Sequence, residues 1–196
     1  ELPAKTYRLG AKSSIKVPLD TAAMNIDLSQ DMPFYKSCHI TSKRPVTVEY
    51  LSVGPCSGGS YLALPVLTLG KQYVAASYND NPGEGAISNH NNSGGAFIVI
   101  GTQDGTLVQI IPATTTTFNH TGAIHGFGSA NTPVPYTITI NKGQTYLVRS
   151  NGEDNENAMS GSIIEATNTI AVITGHENAY TGDADPYTIE ERDLMI

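Results

Sequence analysis

Tryptophan is absent from this 196-residue chain, and cysteine occurs only twice. Without Trp there is no indole platform of the kind that often holds sugars, which counts against glycoside hydrolysis by a carboxylate pair. Positive charge is also scarce: 11 Lys+Arg stand against 18 Asp+Glu, a net charge of −7, and the longest basic run is Lys43-Arg44. A polyanion needs clustered cations, so nucleic acid and anionic membrane surfaces are excluded as expected partners. The longest apolar run, Tyr61 to Leu67, is far short of the roughly 20 residues that span a bilayer, so no membrane insertion is expected. No signal peptide is visible, and the chain begins at Glu1 without Met, reading as processed or as a fragment.

Motifs for common catalytic devices are missing too. No G-x-S-x-G marks a nucleophile elbow. Gly70-Lys71 has Pro65 where a phosphate loop needs its first Gly and Gln72 where it needs Ser or Thr, so the backbone could not cradle phosphate. Gly126-Phe127-Gly128 has Asn131 in place of the last Gly of a dinucleotide fingerprint and sits in a loop instead of between strand and helix. The five histidines, His39, His90, His120, His125 and His176, form no H-E-x-x-H. His120 and His125 share a Gly-rich loop and read as solvated. His176-Glu177 follows a strand end and reads as a surface pair, with an acid–base pair as the sharper alternative. Cys38 and Cys56 fit neither a redox C-x-x-C nor a four-ligand zinc site. They flank a strand pair, and two readings stay open: free thiols, or a disulfide that would suit an exported protein.

What is abundant is β-structure and turns. Gly at 19 and Pro at 11 accompany 39% hydrophobic residues, a turn-rich globular composition. In "GAFIVIGTQDGTLVQIIPA" two β-rich runs flank Asp104-Gly105, which predicts a tight hairpin. The unbroken apolar run Phe97 to Ile100 predicts burial on both faces. "PYTITINKGQTYLVRS" predicts a second hairpin turned at Lys142-Gly143. Tyr136, Ile138 and Ile140 face inward, Thr137 and Thr139 outward, and Tyr146 and Val148 continue the inward set. "SIKVPL" near Ser14 reads as a strand. "CHITSKRPVTVEYLSV" reads as strand, turn at Ser42 to Pro45, strand, and "GSIIEATNTIAVITGH" reads the same way. In "SYLALPVLTLGKQYVAASY", residues Leu62, Leu64, Val66, Leu69, Tyr73 and Val74 are assigned to the core. No amphipathic helix is predicted; Thr21 to Met32 has room for one turn, and Thr188 to Ile196 starts a helix or a strand.

Three polar loops, Asn79–Gly95, Thr114–Thr132 and Glu177–Asp185, are the expected contact surfaces, because loops gather at the ends of sandwiches. Asn91-Asn92-Ser93 and Asn119-His120-Thr121 match the glycosylation tripeptide, which has meaning only in a eukaryotic secretory pathway. Glu153-Asp154-Asn155-Glu156 and Asp183-Ala184-Asp185, with Glu190 and Glu191 beyond, read as solvated acidic loops. A structural calcium site is the alternative, although the EF-hand register is missing. His39–Val48 aligns with Ile163–Val172 at an offset of 124 residues as strand, polar turn, strand; chance similarity is the competing explanation.

Several of these elements, in order, resemble the IgG Fc-binding protein family. Leu64-Pro65, Leu69-Gly70 and Tyr73 match its Leu-Pro-x-x-x-Leu-Gly-x-x-Tyr element. Thr106-Leu107-Val108-Gln109-Ile110 matches its Thr-x-Val-x-Ile arm, and Ile140, Gly143 and Tyr146 match its next hairpin. Ser42 to Val48 resembles its closing strand pair, with Thr167 to Val172 as a degenerate copy. The resemblance covers roughly Ile40 to Ile196. Only two cysteines depart from the Cys-rich vertebrate members, and this Cys-poor style is similar to bacterial surface-protein versions. The family name implies immunoglobulin binding, but no residue here matches a contact motif.

The resulting expectation is an all-β chain of antiparallel β-sandwich modules, as tandem units of about 120 residues. Residues 1–55 would end a preceding unit, 56–176 form a complete one and 177–196 begin another or close the last; the alternative is one domain over 1–196. The resemblance implies a noncatalytic, secreted or cell-surface module for adhesion or ligand binding, with a protein or glycan partner and no cofactor. A structural spacer or stalk is the first alternative, and a hydrolase using His176 and Glu177 the second.

Overall fold

The computed structural model describes residues 4–20, 32–53, 58–77, 95–113, 116–118, 123–125, 134–150 and 159–176. The strands among them are β1 Glu49–Val53, β2 Gly58–Leu62, β3 Gln72–Val74, β4 Gly95–Gly101, β5 Thr106–Ile111, β6 Thr116–Phe118, β7 Ala123–His125, β8 Tyr136–Ile140, β9 Thr145–Arg149, β10 Ile163–Ala166 and β11 Ile170–His176. The helical element among the described residues is a single 3-10 turn at Val66–Thr68. All pairings are antiparallel. Four strands form one sheet in the order β3-β10-β5-β8, three form another in the order β11-β4-β9, and β1-β2 and β6-β7 are separate hairpins.

The two larger sheets share one hydrophobic core. Val108, Ile110, Ile140 and Ile164 enter it from the four-stranded sheet, and Phe97, Val99, Tyr146, Val148 and Ile170 from the three-stranded one. This is the antiparallel sandwich that the alternation predicts: side chains two apart share a face, so each strand buries one set and shows the other. β8 follows the expectation, with Ile140 buried, Tyr136 and Ile138 half-buried and Thr137 and Thr139 exposed. β4 departs from it. Phe97 and Val99 are buried, but Ile98 and Ile100 are only half-buried. The cross-strand row Ile173–Ile98–Leu147 lies on the side of that sheet turned away from the core.

Neither predicted central hairpin forms. β4 pairs with β9 and β11, whereas β5 pairs with β8 and β10. The Asp104-Gly105 turn, the Lys142-Gly143 turn and the connection Thr167–Thr169 each carry the chain from one sheet across to the other. The turn chemistry is as the sequence demands, with φ of 64° at Gly105 and 79° at Gly143. Alternation fixes which side chains face the core, but it is satisfied equally by a neighbour in the same sheet and by a strand across the core.

The three crossings interlock at one end of the sandwich. Gly101 N–H donates to the Gln144 carbonyl at 3.0 Å and Gly143 N–H to the Gly101 carbonyl at 2.9 Å. Gly105 N–H donates to Asn141 Oδ1 at 2.8 Å, and Lys142 N–H to Asp104 Oδ1 at 3.0 Å. Thr102 Oγ1 donates to the Thr169 carbonyl, and Asn168 Nδ2 donates to the fully buried Thr106 Oγ1 at 3.2 Å. Buried polar groups at the crossings thus have partners, as their desolvation requires.

The chain before β3 behaves differently. Residues 4–20 form no strand, contrary to the reading of Ser14–Leu19, and are exposed throughout. Residues 38–48 form none either, so the strand pair expected around Ser42–Pro45 reduces to a bend in which Ser42 Oγ donates to the Arg44 carbonyl at 2.7 Å. β1 and β2 stack Tyr50 on Tyr61 with ring centroids 5.0 Å apart. Their other face shows Leu51 and Leu62, 58% and 57% exposed. The core assignment of the Leu-Pro stretch is therefore corrected: Leu62, Leu64, Val66 and Val74 are exposed, Leu69 is half-buried, and Tyr73 packs on the core. Apolar composition marked this stretch, yet only its last strand, β3, joins a sheet that has a core behind it. The readings at Thr21–Asp31 and Thr188–Ile196 lie outside the described residues.

Candidate functional site

The outward face of the four-stranded sheet is its polar face, and strand register assembles a row of hydrogen-bonding side chains there. Glu165 on β10 lies opposite Gln72 on β3 and opposite Gln109 on β5, and Gln109 lies opposite Thr137 on β8. Neighbouring strands are about 4.8 Å apart, so the row crosses the sheet at close, regular steps. Gln72 Nε2 donates to Glu165 Oε1 at 3.2 Å. Lys71 Nζ donates to the Thr167 carbonyl at 2.6 Å. Leu107 N–H donates to Thr167 Oγ1 at 3.0 Å, tying the edge of the face to the β10–β11 crossing.

An open depression of about 750 Å³ lies over this row, lined by Lys71, Gln72, Leu107, Gln109, Thr137 and Glu165, with Ala166 and Thr167 at one end. Leu107, 47% exposed, supplies an apolar contact beside the amides and hydroxyl. The row offers amide donors and acceptors, one carboxylate and one hydroxyl. Groups of this kind can donate hydrogen bonds to a polar ligand and accept them from it.

Sequence reasoning found Thr137 as outward-facing but not the row. Its members are separated by 28 to 37 residues, and only the pairing of β10 between β3 and β5 brings them together. Of the expected contact loops, 79–94 and 177–185 lie outside the described residues. Within Thr114–Thr132 the described parts pair as β6 and β7. His176 is the last residue of β11 and is 6% exposed; its proposed partner Glu177 lies outside the described residues, as do the acidic clusters at 153–156 and 183–185. Among the described residues no group of three His, Cys, Asp or Glu is placed to hold a metal ion. Cys38 is exposed, and Cys56 lies outside the described residues.

The architecture is that of an antiparallel β-sandwich module with a polar sheet face. Residues 59–193, more than half of the chain, match the model of the family described as IgGFc binding protein, and the chain belongs to that family. No characterised protein and no solved structure matches the chain. The family match begins at Gly59, within β2, and takes in every strand of both large sheets. Among the described residues no helix is long and apolar enough to cross a membrane.

Proposed function

We propose that this chain is a noncatalytic extracellular binding module that takes a protein or glycan ligand on the outer face of its four-stranded sheet. Membership of the IgGFc binding protein family carries the reading, since its members are extracellular binding modules. The polar row Gln72–Glu165–Gln109–Thr137 and the depression above it support that face as the contact surface.

The test is binding of the intact chain to arrays of immunoglobulin Fc, other extracellular proteins and glycans. Gln109→Arg and Thr137→Arg serve as face variants, because both side chains are exposed and neither supports the core. A ligand whose affinity falls at least about tenfold in both variants, the loss of one good contact of about 1.4 kcal/mol, supports the proposal. Absence of any ligand across the arrays, or a ligand indifferent to both variants, would sink it.

A further inference from the structure

The turn Asp104-Gly105 carries a chemistry of its own. The backbone nitrogen that follows an aspartate can close a five-membered ring on the side-chain carboxyl carbon, and glycine, with no Cβ, hinders that closure least. Here both reacting groups are already engaged. Gly105 N–H, whose nitrogen would attack, donates to Asn141 Oδ1 at 2.8 Å. Asp104 Oδ1, on the group to be attacked, accepts Lys142 N–H at 3.0 Å. Two consecutive residues of the β8–β9 crossing thus hold both partners of one reaction. An amide proton held by an acceptor is harder to remove, and a tethered carboxyl must let go before its carbon can turn to the Gly105 nitrogen.

The holding residues are themselves fixed. Asn141 N–H donates to Gln144 Oε1 at 2.8 Å, Gln144 N–H to the Asn141 carbonyl at 3.0 Å and Gly143 N–H to the Gly101 carbonyl at 2.9 Å. On the other side of the turn, Thr106 is fully buried, its Oγ1 donating to the Gln103 carbonyl at 2.9 Å and accepting Asn168 Nδ2 at 3.2 Å. Gly105 therefore sits between two anchored points and cannot move off Asn141 without disturbing one of them. Asp104 and Gly105 are exposed, so water reaches both. The restraint on their reaction is hydrogen bonding, not burial.

We infer that Asp104 is a modification site, converted to isoaspartate when its turn parts from the β8–β9 crossing, and that Asn141 is the residue that sets the rate. The Gly105 nitrogen bonds to Asp104 Cγ, and the amide proton leaves with a carboxyl OH as water, giving a succinimide. Water then adds to the former main-chain carbonyl carbon and breaks its bond to the Gly105 nitrogen. The chain now runs through Cγ, and the former carbonyl is a carboxylate. Water is lost and regained, so mass and oxidation state are unchanged, but the main chain is longer by one methylene. Gly105 N–H then cannot meet Asn141 while Thr106 keeps its buried place. The modified turn stays open, which makes each opening that reacts irreversible.

The test is prolonged incubation of the full chain at neutral pH, followed by denaturation and digestion with an endoproteinase that cuts before aspartate but not before isoaspartate. Mass spectrometry reads the fraction left uncut at Asp104. The folded chain is compared with the same chain in urea, with Asn141→Ala, with Asn141→Asp, which keeps an acceptor, and with Ile164→Val, which lowers stability away from the turn. The folded chain should react at least about tenfold more slowly than the chain in urea, the worth of two ordinary hydrogen bonds. Asn141→Ala should react at least about threefold faster than the unsubstituted chain, the worth of one. Asn141→Asp and Ile164→Val should stay slow. Equal rates in the folded chain and in urea overturn the inference, whichever variants fold. So does an Asn141→Ala rate equal to that of the unsubstituted chain or to that of Asn141→Asp. Acceleration by Ile164→Val as large as that by Asn141→Ala overturns it too, because global unfolding would then be the gate.

Discussion

Tyr73 reaches across the sandwich to Ile170: its hydroxyl donates to the Ile170 carbonyl at 2.8 Å while accepting the Gly70 N–H at 2.7 Å. Tyr73 lies on β3 of the four-stranded sheet and Ile170 opens β11 of the three-stranded one, so a single phenol joins the two layers. Ile170 N–H returns a bond to the Gly70 carbonyl at 3.0 Å. Tyr73→Phe removes one donor and one acceptor while keeping the ring against the core. We expect a loss of about 1–3 kcal/mol, because both backbone groups are part-buried and left without the hydroxyl. Equilibrium urea unfolding measures it, and an unchanged midpoint would mean that solvent replaces the hydroxyl at no cost.

Two glycines at the interlocked end predict opposite sensitivities. A Cβ on Gly101 would come within 2.4 Å of the Asn141 carbonyl oxygen and 3.3 Å of Ile140 Cγ1. Gly101→Ala must push the β8–β9 crossing aside, and we expect about 3 kcal/mol or more, or failure to fold. A Cβ on Gly105 meets nothing within 4 Å, so Gly105→Ala costs only the left-handed backbone at φ 64°, about 1–2 kcal/mol. Thermal unfolding of the pair ranks them, and a reversed order would contradict the crossing geometry.

Burial separates neighbours along the four-stranded sheet. Ile164, fully buried on the central strand β10, should lose about 2–5 kcal/mol as Ile164→Ala through the cavity it leaves. Leu107, 47% exposed on β5, should change by no more than about 0.5 kcal/mol as Leu107→Ala. Denaturant melts of both proteins check the ratio; comparable losses would place Leu107 in a contact that the outer face does not show.

The β1–β2 hairpin carries a pH dependence. Burial, and then the neighbouring Tyr50 and Cys38, raise the Tyr61 phenol above its usual value near 10. The folded chain therefore holds that proton more tightly than the unfolded chain. Its contribution is fully present below the usual value and is lost as the pH climbs through the raised one. Ultraviolet titration of the tyrosines should show a late-ionising phase that Tyr61→Phe deletes. A titration in which all tyrosines ionise together would refute the assignment.

Much of the fold was legible because alternation reports faces directly. Tyr136, Ile138 and Ile140, then Tyr146 and Val148, were read inward and lie inward. Partners were not legible, since nothing in Gly95–Ala113 says whether β5 returns beside β4 or crosses the core. The Leu-Pro stretch misled for a related reason: Leu64 and Leu67 are apolar but lie outside any ladder, at 62% and 99% exposure. The candidate row was hidden because Gln72, Gln109, Thr137 and Glu165 are ordinary polar residues in four separate strands, and only register makes them one surface.

The position of β10 between β3 and β5 has a consequence for the order of synthesis. A chain leaving the ribosome offers β3, β4, β5, β8 and β9 before β10 and β11, yet among the described strands β3 has no neighbour until Ile163–Ala166 arrives. β4 and β9 can meet earlier, but their inner face has only β5 and β8 opposite it. The sandwich therefore closes late and as a unit, and its long-range pairings place it with slowly folding topologies. Until β10 and β11 are made the core lacks Ile164 and Ile170, so Phe97, Val99, Val108 and Ile110 are incompletely covered and open to chaperones and to other chains.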